Sequence, residues 1–284
     1  MLYIPVISAV SLATGNFLEK LVLKNRKISV YSYQVFSFLA IVLLMLPFLY
    51  FFWRVDSKAY NFFSIGIFLL VLLFSILANL LNFYSLKGEK LGKLEPAKIS
   101  EQLFVVLLSL VFSYFFGEVL YERNFKIIFP AIIASIALMF PYFKKDHIKF
   151  NKYFASAVLA SFFFALELIV SRLILDYYSS FSFYFLRCLG VFLISILIFR
   201  RSSFGVKDKR IFFEIILTSF IWIIYRVTIY YGYVSLGIVS TTLVVMLAPV
   251  FVYLLAYIFL KEKISWRNLV STAIIVLCVL FAGV

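Results

Sequence analysis

Three charged side chains lie well inside apolar stretches of the sequence, where charge is rare. They are Glu167, Arg187 and Arg226. Charged groups in such stretches are costly unless they pair with one another or face a water-filled cavity. Two interpretations follow. Either the arginines hold a carboxylate or phosphate of a bound molecule, with Glu167 as counter-ion or proton carrier, or the three residues form a structural ion pair that locks helices together.

Polar side chains in other apolar stretches extend this set. Asn79 and Asn82 share one helix face at a spacing of three, where they serve either interhelical hydrogen bonding or ligand contact. Glu101 and Gln102 lie near the start of a run, so a role at the helix dipole competes with proton coupling for Glu101. Asn16, in the first run, is a further candidate for binding a substrate.

Hydroxyl groups and one proline complete the candidate site. Thr241 and Thr242 open a run and either cap a helix or bring its positive end to an anionic group. Tyr225 and Tyr230 belong to a tyrosine cluster that either walls a pocket for apolar solutes or packs as part of an aromatic belt. Pro249 lies deep inside a run and lacks an N–H, so it predicts a kink that serves as a hinge.

The residues needed for metal or nucleophilic chemistry are few. His147 is the only histidine and lies in a basic connector, and Cys188 and Cys278 lie in apolar runs. These positions exclude a histidine metal site, a Ser-His-Asp triad and a disulfide framework, and no Walker sequence is present. We expect no metal, no cofactor and no catalytic residue, so the protein is predicted not to be an enzyme. An intramembrane lipid-modifying enzyme is the least favoured alternative.

The composition requires elements that are apolar on all sides. Of 284 residues, 65% are apolar and 14% are charged, whereas a soluble domain carries about 25% charged residues. A bilayer solvates such an excess of apolar surface, so the sequence predicts an all-α integral membrane protein. Most of the basic residues behind the net charge of +14 lie in short gaps between the apolar runs. We assign them to topology control and to contact with anionic lipid headgroups, not to nucleic acid.

Ten apolar runs are long enough to span a bilayer, which takes about 20 residues. Their approximate limits are 2–23, 30–53, 61–86, 96–117, 125–143, 152–172, 181–199, 211–233, 238–260 and 267–284. The sequence therefore predicts ten transmembrane helices joined by short connectors.

Sequence matches at nearly one separation indicate an internal duplication. Ser8-Ala9-Val10 and Leu18-Glu19 recur 148 residues later as Ser156-Ala157-Val158 and Leu166-Glu167, and a Glu-x4-Arg-Asn pattern at Glu118 recurs 144 residues later at Glu262. This period predicts two repeats, residues 1–145 and 150–284, of five helices each. An odd number of crossings gives the copies opposite orientations, so we expect two inverted repeats around a central cavity. Glu19 itself lies beside Lys20 and is expected to extend toward the interface.

Cations are distributed unevenly between the connectors. Connectors 1–2, 3–4, 5–6, 7–8 and 9–10 carry 20 of the 27 Lys and Arg residues, whereas the other four connectors carry five. Three of the four pairs of equivalent connectors in the two copies show opposite bias, which an inverted duplication predicts and a parallel one does not. By the positive-inside rule the cation-rich side is cytoplasmic and both termini lie outside. We therefore expect a multi-pass protein of the cell membrane.

The motifs of the second half resemble those of a known family. The segment from Ser235-Leu236-Gly237 through Ala248-Pro249-Val250 to residues 260–265 is similar to the end of the second repeat in the EamA-type branch of the drug/metabolite transporter superfamily. Asn16, Phe17 and Lys20 resemble a first-helix motif of that family, and Arg187 matches an arginine common in its seventh helix. The resemblance implies ten helices around a central cavity and carrier-type transport, often export, of small metabolites.

The favoured function is a secondary transporter that moves small metabolites such as amino acids by alternating access, with protons as a candidate coupling ion. A lipid or lipid-linked sugar flippase is the alternative, and a lateral opening between helices would favour it. The expected partners are a small-molecule substrate and membrane lipids. The expected assembly is a monomer or a homodimer.

Overall fold

The computed structural model describes residues 3–24, 28–117, 120–142, 150–199, 208–251 and 266–283, and this part of the chain is almost entirely helical. Short helical turns at Leu46–Phe48 and Leu49–Phe52 extend the second helix, and Phe140–Tyr142 extends the fifth. The main helices are α1 Tyr3–Lys24, α2 Val30–Met45, α3 Phe62–Gly88, α4 Leu91–Phe116, α5 Phe125–Met139, α6 Lys152–Leu175, α7 Ser180–Phe199, α8 Lys209–Ser235, α9 Ile238–Val245 and α10 Trp266–Ala282.

Eight helical stretches in the described residues are long and apolar enough to cross a membrane, by length and composition. They correspond to α1 through α8, with α2 extended to Phe52 and α5 to Tyr142. Two shorter apolar stretches are Ile238–Phe251 and Trp266–Ala282. Each begins within one residue of the predicted start of the ninth or tenth run. The prediction of an all-α membrane protein is confirmed. The repeated Glu118 and Glu262, and residues 260–265, lie outside the described residues.

Short polar side chains determine where several helices begin. Asn61, Asn124, Asn151 and Asp208 each precede a helix, and each side chain accepts a hydrogen bond from a backbone N–H of its first turn. The first N–H groups of a helix have no partner within it, and such a cap contributes about 1 kcal/mol. These four helices begin within a few residues of the starts that the apolar runs predicted.

Helix α4 begins earlier than the apolar run predicted. The predicted span starts at Pro96, whereas the helix starts at Leu91 and contains Pro96 within it. Pro96 is the sixth residue of the helix and lies beyond the first four N–H groups, so the helix loses one backbone hydrogen bond near its start. Lys98, which was counted with the connector cations although it lies inside the predicted run 96–117, is a residue of α4.

Three helix pairs carry much of the packing between the two halves of the chain: α1 lies against α8, and α6 lies against both α3 and α4. Small residues permit the first of these close approaches. A Cβ placed on Gly15 would lie 3.3 Å from the Trp222 ring, and the Ser8 hydroxyl donates to Thr228 Oγ1 at 2.7 Å. Apolar helices gain no hydrophobic free energy from meeting each other in lipid, so close packing and interhelical hydrogen bonds must hold them together.

Connectors pair at the end of the molecule that carries few cations, here named the cation-poor end. The backbone N–H of Asp56 donates to the Tyr177 carbonyl at 2.7 Å, and that of Ser179 donates to the Arg54 carbonyl at 2.9 Å. These bonds join the connector after α2 to the connector after α6. One connector from each half of the chain is thereby held in place.

Glu89 organises the opposite end, here named the cation-rich end. The backbone N–H of Lys90 donates to its carboxylate, which lowers the pKa of Glu89 and keeps it ionised at neutral pH. The same carboxylate pairs with Lys93 at 3.2 Å and accepts a hydrogen bond from Asn151 Nδ2 at 3.1 Å. Lys20 of α1 donates to the Glu89 carbonyl. The starts of α4 and α6 and the end of α1 are therefore tied to one short connector.

A tight hairpin joins α8 to α9, and Glu122 binds its far side. The Glu122 carboxylate accepts hydrogen bonds from the backbone N–H groups of Val239 and Ser240 at 2.6 and 3.0 Å, and from the Ser240 hydroxyl at 2.6 Å. A carboxylate is stabilised at the positive end of a helix. Gly237 has a φ of 92°, and a Cβ there would lie 2.3 Å from the Glu122 carboxyl carbon. The anion at the start of α9 is therefore the chain's own.

Helix α9 is interrupted just before Pro249. Its α-helical residues end at Val245, and the N–H of Leu247 donates to the Val244 carbonyl at 3.0 Å in a tightened turn. Helical residues resume at 248–251. This break lies where the sequence predicted a kink, because a proline offers no N–H to continue the helix. Motion about this hinge stays a prediction.

Substitution of Gly237 tests the hairpin. We expect Gly237→Ala to lower the melting temperature of the detergent-solubilised protein more than Gly117→Ala. Both glycines have a positive φ, 92° and 85°, so both variants incur backbone strain of roughly 1–2 kcal/mol. Only the methyl group at position 237 meets the Glu122 carboxylate, since the space at Gly117 is open. Equal losses of stability in the two variants would contradict this account.

Candidate functional site

Glu167, Arg187 and Arg226 meet inside the protein although they come from three helices. Glu167 Oε2 of α6 accepts a hydrogen bond from Arg226 Nη1 of α8 at 3.1 Å, and its Oε1 lies 3.2 Å from Arg187 Nε of α7. The Arg187 contact is an ion pair without hydrogen-bond geometry at Nε. All three side chains are buried, and Glu167 has no exposed surface. One carboxylate thus faces two guanidinium groups.

Two neutral hydroxyl groups complete this cluster. Tyr230 donates from its hydroxyl to Glu167 Oε1 at 2.6 Å, and Arg187 Nη2 donates to Ser75 Oγ of α3 at 2.7 Å. Buried polar groups need such partners because an unpaired one carries its full desolvation cost. The cluster therefore links four helices, α3, α6, α7 and α8.

Aromatic rings continue from the cluster toward the cation-poor end. The Phe183 ring packs edge-on against Tyr230 with centroids 5.1 Å apart, and it also contacts Tyr178 and Phe68 at 5.4 and 6.0 Å. Phe183 and Tyr230 are fully buried. Offset and edge-on ring pairs of this kind add about 1 kcal/mol each beyond the area they bury. They fill the space between the charged cluster and the paired connectors at that end.

A cavity lies beside the two arginines. It holds about 1080 Å³ of empty space, part of it open to solvent, and residues from every helix from α1 to α9 line it. Its charged lining residues are Glu19, Glu95, Lys98, Glu101, Arg187 and Arg226. Water-accessible space among buried charged groups is the setting in which a membrane protein binds polar solutes.

Most of the residues singled out from the sequence lie on this cavity wall. The structure brings together Asn16, Asn79, Asn82, Glu101, Gln102, Arg187, Tyr225 and Arg226, and the predicted hinge Pro249. Asn82 Nδ2 donates to Glu19 Oε2 at 2.9 Å, whereas Asn79 Nδ2 donates to the Ser75 carbonyl of its own helix at 2.7 Å. Their direct contact with a substrate stays a prediction.

Four candidates lie behind the wall. Glu167 contacts both arginines and Tyr230 contacts Glu167, so they act on the cavity through Arg187 and Arg226. Thr242 Oγ1 lies 3.4 Å from the Tyr233 hydroxyl, and the Thr241 side chain packs against the backbone of Gly232. Both threonines therefore contact residues of α8. The positive end of α9 is occupied by Glu122.

Three charged wall residues, Glu19, Glu95 and Lys98, were not among the sequence candidates. Glu19 does not extend to the interface as expected; it is 3% exposed and receives the hydrogen bond from Asn82. Lys98 Nζ donates to Asn16 Oδ1 at 2.6 Å instead of lying in a connector. The repeat alignment carried the signal for Glu19, because it pairs this residue with Glu167. Lys98 was missed because it was counted with the cations of the connector before α4 and not with the charged residues inside the helix.

The arrangement suits recognition of charged and polar solutes. Guanidinium groups donate in a planar fork that matches carboxylate and phosphate oxygens, and carboxylates accept from ammonium groups or protons. Within the described ranges, no group of three or more His, Cys, Asp and Glu side chains could hold a metal ion.

Removal of the shared carboxylate tests how strongly the cluster holds the fold. We expect Glu167→Gln to cost about 3–5 kcal/mol of stability, because it leaves two buried guanidinium groups without their counter-ion. Glu214→Gln is the matched control, since Glu214 pairs with the exposed Arg210 at 3.0 Å and such surface pairs contribute up to about 1 kcal/mol. Thermal unfolding in detergent compares the two variants. Similar losses of stability in the two variants would show that the buried cluster stabilises the fold no more than a surface ion pair does.

A solved structure of another protein has a similar fold. A crystal structure of another protein aligns with this chain at a TM-score of 0.66 and 14% sequence identity, and the alignment covers 97% of each chain. At this identity the likeness shows a shared fold alone. No curated protein matches the sequence.

A family model matches the second half of the chain. Residues 151–284 match the model of the EamA-like transporter family. This segment includes the Gly237 hairpin and the Pro249 break, the features on which the sequence resemblance rested. The resemblance is confirmed: this segment, slightly less than half of the chain, is similar to the EamA-like transporter family, and the chain is a multi-pass membrane protein.

Proposed function

We propose that this protein is a secondary carrier that moves small metabolites such as amino acids across the cell membrane by alternating access. Ten transmembrane helices in two inverted five-helix repeats surround its substrate site. The observation that carries the proposal is the cavity, which residues from both halves of the chain line and which holds Arg187, Arg226 and Glu101 at its wall. Substrate sites at the interface of two repeats are a general feature of such carriers.

Reciprocal packing supports the repeat arrangement. If α1 to α5 correspond to α6 to α10, the first helix of each half packs against the third helix of the other half, as α1 does with α8 and α6 with α3. The second helices pack against each other, α2 with α7, and so do the fifth helices, α5 with α10. A pseudo-twofold axis between the halves accounts for all of these contacts.

Hydrogen bonds between the halves follow the same symmetry. The Ser8 hydroxyl of α1 donates to Thr228 of α8, and the Ser156 hydroxyl of α6 donates to the Leu81 carbonyl of α3 at 3.1 Å. The two serines are 148 residues apart in the repeated Ser-Ala-Val motif, and their partners are 147 residues apart. Small hydroxyl residues at these crossings allow close approach and supply a bond across it.

Hydrogen bonds within each half repeat as well. Glu19 accepts from Asn82 at 2.9 Å, and Glu167 accepts from Tyr230 at 2.6 Å. Both residues of the second pair lie 148 positions after those of the first. A carboxylate on the first helix of each half therefore receives a hydrogen bond from the third helix of the same half, as expected for copies of one unit.

Alternating access uses the two sides of the cavity in turn. The aromatic rings around Phe183 and Tyr230 close the cation-poor end, which the charge bias assigns to the outside. An exchange of conformation between the repeats opens that end and closes the other. Glu19 and Glu101, two carboxylates on the cavity wall, are the candidates for carrying a coupling proton.

Membrane orientation can be tested with single cysteines. Cys188 and Cys278 are both buried, so the natural protein gives little background with a membrane-impermeant maleimide. We expect Ser57→Cys, in the connector after α2, to react in intact cells. Lys90→Cys, in the connector after α3, should react only after the membrane is opened. The reverse pattern would place the termini in the cytoplasm.

Flux into proteoliposomes tests the carrier function. A labelled pool of amino acids and other metabolites is supplied with and without a pH gradient. We expect saturable uptake that falls about tenfold or more in Arg226→Gln and in Glu101→Gln, because each removes a charged cavity group that binds with a strength of about 1.5–3 kcal/mol. Glu214→Gln, at the surface, is the control that retains uptake.

Two outcomes would contradict this assignment. Unchanged uptake in both cavity variants would mean that the substrate binds elsewhere. If no solute moves and a labelled lipid crosses the bilayer instead, the protein is a flippase, and the lipid becomes the substrate.

A further inference from the structure

The cavity wall away from the arginine pair is rich in carboxylates. Glu19 of α1 and Glu95 and Glu101 of α4 all line it, and Lys98 is the one lysine among the lining residues. Glu95, Lys98 and Glu101 are spaced by three along α4, so they share one face of that helix. Three carboxylates therefore surround a single ammonium group.

Lys98 is held at this wall by a neutral group. Its ammonium donates to Asn16 Oδ1 at 2.6 Å, and it interacts electrostatically with Glu19, Glu95 and Glu101. The side chain is partly exposed, because it faces the cavity. A lysine ammonium is a compact charge on a flexible stem, and it can move away without unfolding its helix. Lys98 thus occupies this position without being locked in it.

The arginine pair leaves these carboxylates under-neutralised. Arg187 and Arg226 share Glu167, and Arg226 also interacts with Glu101. Together, the wall and the group directly behind it carry three cations, Arg187, Arg226 and Lys98, against four carboxylates. One negative charge is in excess when all are ionised. A cation entering the cavity neutralises that charge, whereas an anion would add to it.

Two unpartnered acceptor atoms lie on the same wall. Tyr33 is 1% exposed, and its hydroxyl has no hydrogen-bond partner in the part of the chain that the structure describes. Tyr33 also interacts electrostatically with Glu19. Gln102 Oε1, next to Glu101, is likewise buried without a partner among the described residues. A carbonyl oxygen only accepts hydrogen bonds, so a molecule bound beside it must bring a donor.

We propose that the wall formed by Glu19, Tyr33, Glu95, Glu101 and Gln102 is a subsite for a protonated amine, and that Lys98 is a tethered cation that the incoming amine displaces. An ammonium group brings a positive charge that compensates the excess negative charge of the carboxylates. It also brings N–H groups that can donate hydrogen bonds to Gln102 and Tyr33. The Trp222 ring on the same cavity offers a face for a cation. The inference rests on the proposed function, because it names the substrate chemistry of that cavity.

Trp222 makes this subsite measurable. The chain has three tryptophans, and Trp53 and Trp266 are 48% and 62% exposed, away from the cavity wall. In a Trp53→Phe/Trp266→Phe background, fluorescence reports on the cavity alone. Detergent-solubilised protein is titrated with three molecules of similar shape and different charge, namely 2-phenylethylamine as cation, 2-phenylethanol as neutral molecule and phenylacetate as anion.

We expect saturable quenching of Trp222 by the amine and much weaker effects of the alcohol and the anion. Lys98→Gln should tighten amine binding about tenfold, since it removes the competing ammonium, and Glu101→Gln should weaken it about tenfold, the usual value of one charge-assisted hydrogen bond. Lys93→Gln is the matched control, because Lys93 pairs with Glu89 outside the cavity.

The charge preference of the background protein needs no cavity variant, so it decides the question even if a variant fails to fold. Phenylacetate binding as tightly as the amine would overturn the proposal, and so would weaker amine binding in Lys98→Gln. Amine binding without flux in proteoliposomes would leave the subsite standing and remove the carrier function. Flux without amine selectivity would do the opposite.

Discussion

Two arginines inside a membrane protein must find a counter-ion, and here they share one carboxylate. Glu167 holds Arg187 from α7 and Arg226 from α8 against α6. Taking charged groups from water costs several kcal/mol per ion even after relaxation, so these contacts cannot be broken without a replacement. Any rearrangement of the three helices must carry the cluster along, or an anionic ligand group must take the place of Glu167. The cluster thus constrains the fold, and with it the transport cycle that we propose.

The structural and functional interpretations of this cluster are therefore compatible. Glu167 lies behind the wall and stabilises the two buried guanidinium groups. Arg187 and Arg226 also face the cavity. Arg226 interacts with Glu101 on the cavity side as well as with Glu167 on the far side. A guanidinium group with a fixed partner on one side keeps its remaining donors oriented toward the other side. Such pre-orientation lowers the cost of binding a ligand.

The sequence predicted the parts of this architecture that depend on local composition. Apolar runs located the helices, and the rarity of charge in lipid identified Glu167, Arg187 and Arg226. It did not predict features that depend on which helices touch. Glu122 caps α9 from a connector 117 residues earlier, and no local pattern indicates that. Lys98 was counted with the connector cations because it lies only two residues after Pro96, the predicted helix start, whereas the helix begins at Leu91.

The two proposed copies differ most at their equivalent carboxylates. Glu167 faces two arginines and receives the Tyr230 phenol, whereas Glu19 receives the Asn82 amide and shares Lys98 with two further carboxylates. The same backbone position therefore lies in a cation-rich environment in one half and an anion-rich environment in the other. A dipolar solute lying across the cavity would place its negative end at the arginines and its positive end at the carboxylates. If the copies exchange conformations, as the proposed alternating-access cycle requires, divergence of their side chains gives a symmetric scaffold an asymmetric and oriented binding site.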